Sequence, residues 1–196
     1  MKPVVLPGIR IITISGRIGA GSTSLAKNLA EKLGWQHLEG GEIFWEAVRK
    51  KMQLAPKDTK LRPDVEDLLF EEKQTALLKE GKHLILESKL AGFCAYKMDD
   101  VFRIAVVCED EDGQDQPQVR TKRLFDREKV SLADAKVEVL EREKNDLTKW
   151  RALYAHGDSQ WIYWDKKYYN ITVNTYALNQ DKSLKFVLDA IGYNNL

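Results

Sequence analysis

The chain has 196 residues, 43% hydrophobic and 31% charged, which suits one domain with a full core. Its 31 basic and 30 acidic side chains leave a formal net charge of +1, which removes any general electrostatic case for a nucleic acid or a membrane surface as partner. No apolar run approaches the length of a membrane span, and Pro3, Pro7, Gly8 and Arg10 interrupt the apolar residues near the N-terminus before a signal-peptide core can form, so a soluble cytoplasmic protein is expected.

In chain order, residues 1–9 read as an irregular lead-in and Ile11 to Ser15 as a buried strand. From Thr23, Leu25, Ala26, Leu29, Ala30 and Leu33 recur at helical spacing, and Gly34 suits a left-handed cap. Trp35 to Leu38 predicts a second strand, Gly40-Gly41 a turn, and Glu42 to Met52 a second helix. Residues 53–62 are polar and loop-like, and Pro63 opens a third helix running to about Lys79, with Gly81 as its stop. His83 to Glu87 and Val101 to Cys108 are near-continuous apolar runs, the reading of central parallel strands. An acidic loop over 109–115 precedes a helix from Gln118 to Arg127. Ser131 to Asp134 fits a capping box, and a long charged helix follows to about Tyr154. Ile171 to Thr175 is a last strand and Asp181 to Ile191 a closing helix. Five strands alternating with helices predict an α/β fold, a parallel sheet flanked by helices on both sides. Ligands bind such sheets at the C-terminal strand ends.

One stretch carries the strongest chemical signal. Gly16-Arg17-Ile18-Gly19-Ala20-Gly21-Ser22-Thr23-Ser24 joins the first strand to the first helix. Glycines let successive N–H groups turn inward, and the helix N-terminus adds its dipole and unpaired amides, which together suit a phosphate. The spacing fits G-x4-G-K-[ST] with Ser22 in place of lysine, and Thr23 stands where a hydroxyl would ligate Mg²⁺. The alternative is a tight turn capped by hydroxyls. Glu87 ends an apolar strand, where a carboxylate can orient Mg²⁺ or its waters or can be an ordinary strand-end polar residue.

Arg120, Arg123 and Arg127, spaced i, i+3, i+7, put three guanidiniums on one helix face, either a clamp for a transferring phosphoryl group or a solvated basic face. Arg142, Lys144, Lys149 and Arg151 extend the basic supply along the next helix, interleaved with Glu138, Glu141, Glu143 and Asp146. Trp150, Trp161, Tyr163, Trp164, Tyr168 and Tyr169 read as packing residues. Cys94 and Cys108 read as buried thiols, and His37, His83 and His156 lack metal-ligand spacing.

From Ile11 to about Ile191 the chain resembles the archaeal-type cytidylate kinases of the P-loop nucleoside monophosphate kinases. The resemblance rests on Ile12 to Ser24, on Glu39-Gly-Gly-Glu-Ile-Phe44, on Leu86-Glu-Ser-Lys89-Leu-Ala-Gly92, on Val119 to Glu128, and on the lid-like Glu141-Arg142-Glu143 and Trp150-Arg151-x-x-Tyr154. It implies a three-layer P-loop fold in a single domain: core 10–39, 82–118 and 165–196, acceptor-binding helices about 40–81, and a lid about 119–164. It implies transfer of a phosphoryl group from Mg-ATP to CMP or dCMP by a monomer acting on small-molecule nucleotides. Gly16 to Ser24 would hold the ATP phosphates, Thr23 and Glu87 the Mg²⁺. Arg120, Arg123, Arg127 and Arg142 would screen the transferring group. Trp45 stands where the family usually has an arginine for the acceptor phosphate, with Arg49 one turn along. Lys89 and Lys149 stand where arginines are usual. With Arg151, these positions form the implied acceptor site. Such losses leave two other readings open, a kinase with a different acceptor and a nucleotide-binding regulatory protein with little turnover. On the transition-state role, Arg123→Ala is expected to lower turnover with little effect on ATP affinity.

Overall fold

The computed structural model describes residues 2–41, 44, 63–128 and 130–195. The helix expected over Glu42 to Met52, the loop 53–62, and the site candidates Trp45 and Arg49 lie outside the described residues.

Strand β1, Ile11–Gly16, is buried along its whole length because it is the middle strand. It pairs in parallel with β3, Leu84–Glu87, on one side and with β4, Val101–Val107, on the other. Beyond β3 lies β2, Gln36–Glu39, and beyond β4 lies β5, Ile171–Asn174, both parallel. The order β2-β3-β1-β4-β5 makes the chain change sides at β1, and a crevice opens there at the C-terminal strand ends.

Alternation along β1 divides the core. Ile12 and Ile14 face helix α1, Ser22–Leu33, and helix α7, Gln180–Ala190, in a cluster with Leu25, Leu29 and Val187. Ile11 faces the opposite side, with Leu78 of helix α2, Asp64–Glu80, and Ala91 of the short helix α3, Ala91–Cys94. On that side Ala105 of β4 meets an aromatic cluster of Trp150, Trp161, Tyr163, Tyr168 and Tyr169, the packing role expected of these rings. The expected flanking of the sheet on both sides is thus found.

Boundaries shift where packing overrides local pattern. Trp35, expected in β2, precedes it, its indole Nε1 donating to the Val4 carbonyl at 2.7 Å. Gly40 and Gly41 are helical rather than a turn. Pro63 is the N-cap of α2 rather than its first helical residue. Gly34 takes the left-handed φ of 63° expected of it.

Helix α4 spans Pro117–Glu128. The long charged helix is present from Leu132 to Tyr154, and the Ser131 hydroxyl accepts the Asp134 amide as its cap. The helix is not uniform: α5, Leu132–Lys136, widens into a π segment, Val137–Arg142, and continues as α6, Glu143–Tyr154.

Candidate active site

The glycine loop leaves β1 at the crevice. Gly19 and Gly21 have φ of 75° and 101°, a region that only glycine enters readily. A Cβ on Gly19 would also lie 2.4 Å from the Arg120 carbonyl oxygen. Gly21 is the N-cap of α1, and no side chain caps that helix, so its first-turn amides face the crevice without a hydroxyl partner of the kind a capped turn would supply. The Thr175 hydroxyl donates to the Ala20 carbonyl at 2.6 Å and ties the loop to the end of β5.

The Thr23 hydroxyl goes elsewhere. Its Oγ1 donates to Glu87 Oε1 at 2.7 Å, and Glu87 Oε2 lies 3.0 Å from His37 Nε2. The register aligns Glu87 with Ile14 on one side and Glu39 on the other, so three strand ends converge beneath the loop. An oxygen pair such as Thr23 and Glu87 fits Mg²⁺, which takes one or two protein oxygens and completes its shell with water and phosphate. Among the described residues no group of three or more His, Cys, Asp and Glu is placed to hold a metal ion.

The three guanidiniums of α4 go to three different places. Arg120 is 1% exposed and forms a wall of neither cavity. It pairs with Asp115 at 2.7 Å, donates to the Ile18 carbonyl at 2.7 Å, and reaches Glu143 at 3.3 Å. Arg17 of the glycine loop joins the same network, bonding Glu143 at 2.5 Å and Asp115 at 3.1 Å, with its guanidinium 4.4 Å from the Trp164 ring centre. Burial alone would lower the Arg17 guanidinium, but the hydrogen bond and charge of Glu143, aided by Asp115, outweigh it and hold the group above its ordinary value. Arg123 donates to the Thr175 hydroxyl at 2.8 Å and to the Thr175 carbonyl at 2.9 Å. Arg127 lines both cavities of the crevice.

The larger cavity, 970 Å³, is walled by the glycine loop, Thr23, Glu87, Lys89, Arg127 and Arg142, and ends among Asp67, Phe70, Glu71 and Trp150. A second cavity of 470 Å³ lies across the loop between Arg123, Thr175 and Leu178, with Ser24 at its edge. Lys89 pairs with Asp146 at 2.8 Å, and burial lowers its ammonium against the opposing pull of that carboxylate. Arg142 pairs with Glu138 at 2.6 Å. Lys149 bridges Asp67 at 2.6 Å and Asp64 at 3.2 Å, which fastens α6 to α2. Arg151 faces away, donating to the Trp161 carbonyl at 2.9 Å.

The sequence reading missed the carboxylates. Glu143 and Asp146 are buried, though the charge pattern reads as a solvated helix face, and Asp67 and Glu71 went unnoticed on α2. A usable signal was present: Glu143, Asp146 and Trp150 share one helix face, and a tryptophan on a charged face points inward.

No family model matches the chain. It is 33% identical over 175 residues to the cytidylate kinase of Natronomonas pharaonis, covering 87% of this chain and 83% of that protein. It is 28% identical over 185 residues to the cytidylate kinase of Methanopyrus kandleri, covering 92% of each chain. Among solved structures it is similar to a shikimate kinase from Acinetobacter baumannii, with a TM-score of 0.55 at 16% identity over 96% of both chains. A gluconokinase from Sinorhizobium meliloti has a TM-score of 0.55 at 14% identity, over 94% of this chain and 93% of its own. The two structures share the fold.

Proposed function

The chain belongs to the cytidylate kinase family and is thereby an ATP-dependent phosphotransferase of the nucleoside monophosphate kinases, and we propose that it moves the γ-phosphoryl group of ATP to CMP or dCMP. The observation that carries this reading is the larger cavity, which runs without a break from the glycine loop past Lys89 and Arg142 to the polar face of α2. Donor and acceptor can meet there in line. Phosphoryl transfer asks for alignment and charge neutralisation more than for covalent chemistry, and the walls suit that demand.

In this reading the amides of Gly16 to Ser24 hold the donor phosphates, and the smaller cavity beside Arg123 and Thr175 takes the donor base. Thr23 and Glu87 would hold Mg²⁺, which when bound neutralises phosphate charge. His37 fixes the Glu87 carboxylate in the orientation that meets Thr23. Arg127, Arg142 and Lys89 face the transferring group, Arg142 and Lys89 exchanging their carboxylate partners for phosphate oxygens. Arg120 and Arg17 act one step removed: they hold the loop to the lid, which α4 to α6 form. Lid closure excludes water and limits wasteful hydrolysis.

The test is ADP release with Mg-ATP and CMP, dCMP, UMP, AMP, GMP or no acceptor. Strong stimulation by CMP or dCMP is expected. Stimulation by another acceptor alone would move the substrate. Silence across the panel with ATP bound would overturn turnover in favour of a nucleotide-binding regulatory protein.

A further inference from the structure

One peptide plane of the glycine loop is held from outside the loop. The Ala20–Gly21 peptide turns on two torsions, ψ of Ala20 and φ of Gly21. Gly21 has φ 101° and ψ 13°, and a glycine enters either sign of φ about equally readily. Local sterics therefore do not choose which way this peptide faces. Ala20 itself is anchored ahead of the rotating bond: its methyl is wholly buried, and its amide donates to the Arg17 carbonyl at 2.9 Å. The remaining freedom lies in its carbonyl.

The end of β5 supplies the constraint. The Thr175 hydroxyl has two carbonyl oxygens in reach, Ala20 at 2.6 Å and Val107 at 3.1 Å. Arg123 donates to that hydroxyl at 2.8 Å and to the Thr175 carbonyl at 2.9 Å. A hydroxyl that accepts from a guanidinium sends its own proton to a carbonyl, and the charged donor strengthens that second bond. The shorter distance assigns the proton to Ala20. In a trans peptide the C=O and N–H point opposite ways, and no cis bond occurs among the described residues. A carbonyl drawn to Thr175 therefore turns the Gly21 N–H away from β5. That amide is hydrogen-bonded to none of the described residues, and Gly21 lines both cavities.

We infer that Thr175 is a positioning residue, whose hydroxyl holds the Ala20–Gly21 peptide so that the Gly21 N–H meets a donor phosphate. This rests on the glycine loop being the donor-phosphate site. On the loop, Arg123 acts through Thr175, since its guanidinium sets the direction of the hydroxyl proton. Without the hydroxyl the peptide samples the reversed orientation. A carbonyl oxygen, an acceptor only, then faces the phosphate where a donor is needed. Arg123, Thr175 and Ala20 thus form one chain of hydrogen bonds from α4 through the end of β5 to the loop.

The experiment uses the full chain, native, Thr175→Val and Thr175→Ser, with calorimetric binding of tripolyphosphate and of ATP, each with Mg²⁺. Valine keeps the branched shape without the hydroxyl, and serine keeps the hydroxyl. Tripolyphosphate carries the donor phosphates without a base. Thr175→Val is expected to bind both ligands about tenfold more weakly, as for one lost hydrogen bond to an anion, and Thr175→Ser to stay within about twofold of native. Weaker ATP binding with unchanged tripolyphosphate binding would assign Thr175 to the donor base and overturn the inference. Unchanged affinity for both ligands also overturns it, as does a serine variant as weak as the valine one, or a native protein that binds no tripolyphosphate. If Thr175→Val does not fold, the native chain decides: its Gly21 amide resonance is expected to move on addition of tripolyphosphate, and a stationary one overturns the inference. ADP release with CMP is read on the same samples. Its absence with the binding pattern intact overturns the kinase reading and keeps the inference.

Discussion

Arg123 shows how a residue's type can be legible while its destination is not. It lies on a helix, as its spacing predicts, yet its hydrogen bonds go to Thr175, 52 positions away, at the smaller cavity. The transition-state expectation for Arg123→Ala therefore gives way to a ground-state one. Loss of the guanidinium should raise the KM for ATP about tenfold and leave kcat within a few-fold, since it removes binding common to ground and transition states. Steady-state kinetics over ATP concentration decides it, and a large fall in kcat at constant KM would restore the earlier expectation. Glu71 carries a second residue-scale consequence. Its carboxyl titrates near 7 in the folded chain against an ordinary 4.5. As pH rises between those values the unfolded chain releases this proton first, so the folded state binds more protons and stability falls. The urea midpoint of the native protein should decline over that window more steeply than that of Glu71→Gln; parallel profiles would contradict the shift.

At the scale of elements, the strands and α1 were legible because burial on both sides of a parallel sheet leaves a continuous apolar run, and because Gly34 marks a stop. The π segment was not, since a widened turn depends on what the helix must face. Ala135, Val139 and Glu143 are all buried and lie four residues apart, a spacing that drifts around an ordinary helix. The wide turn at Val137–Arg142 absorbs the drift, so one line of residues packs first on Leu124 and then delivers Glu143 to Arg17 and Arg120. Glu143→Ala would leave two arginines sharing Asp115. A loss of about 3 kcal/mol in unfolding free energy is expected, as for an uncompensated buried charge. Exposed Glu141→Ala serves as the control, and equal effects of the two would contradict the assignment.

Across the whole molecule, the near-zero net charge is repeated within the crevice, whose walls carry cations and carboxylates side by side. Arg17, Lys89, Arg120, Arg142 and Lys149 each meet a carboxylate from a distant segment or the next turn. Pattern reading along a chain sees the cations and the acids but not their pairing, which is why the fold and family were readable while half of the site's walls were not. The phosphate loop was found because its function is written in adjacent residues.

The contact between Arg17 and Trp164 gives the protein an optical property. The Arg17 guanidinium lies over the Trp164 ring and is paired to Glu143 of α6, so any displacement of the glycine loop or of α6 is expected to alter the field at the indole. Titration with Mg-ATP should shift the intrinsic emission, and Trp164→Phe should remove most of that shift while the other four tryptophans remain. An unchanged signal in that variant would assign it to another ring. If the shift follows Trp164, stopped-flow mixing would time that displacement in unlabelled protein, with the chain as its own fluorophore.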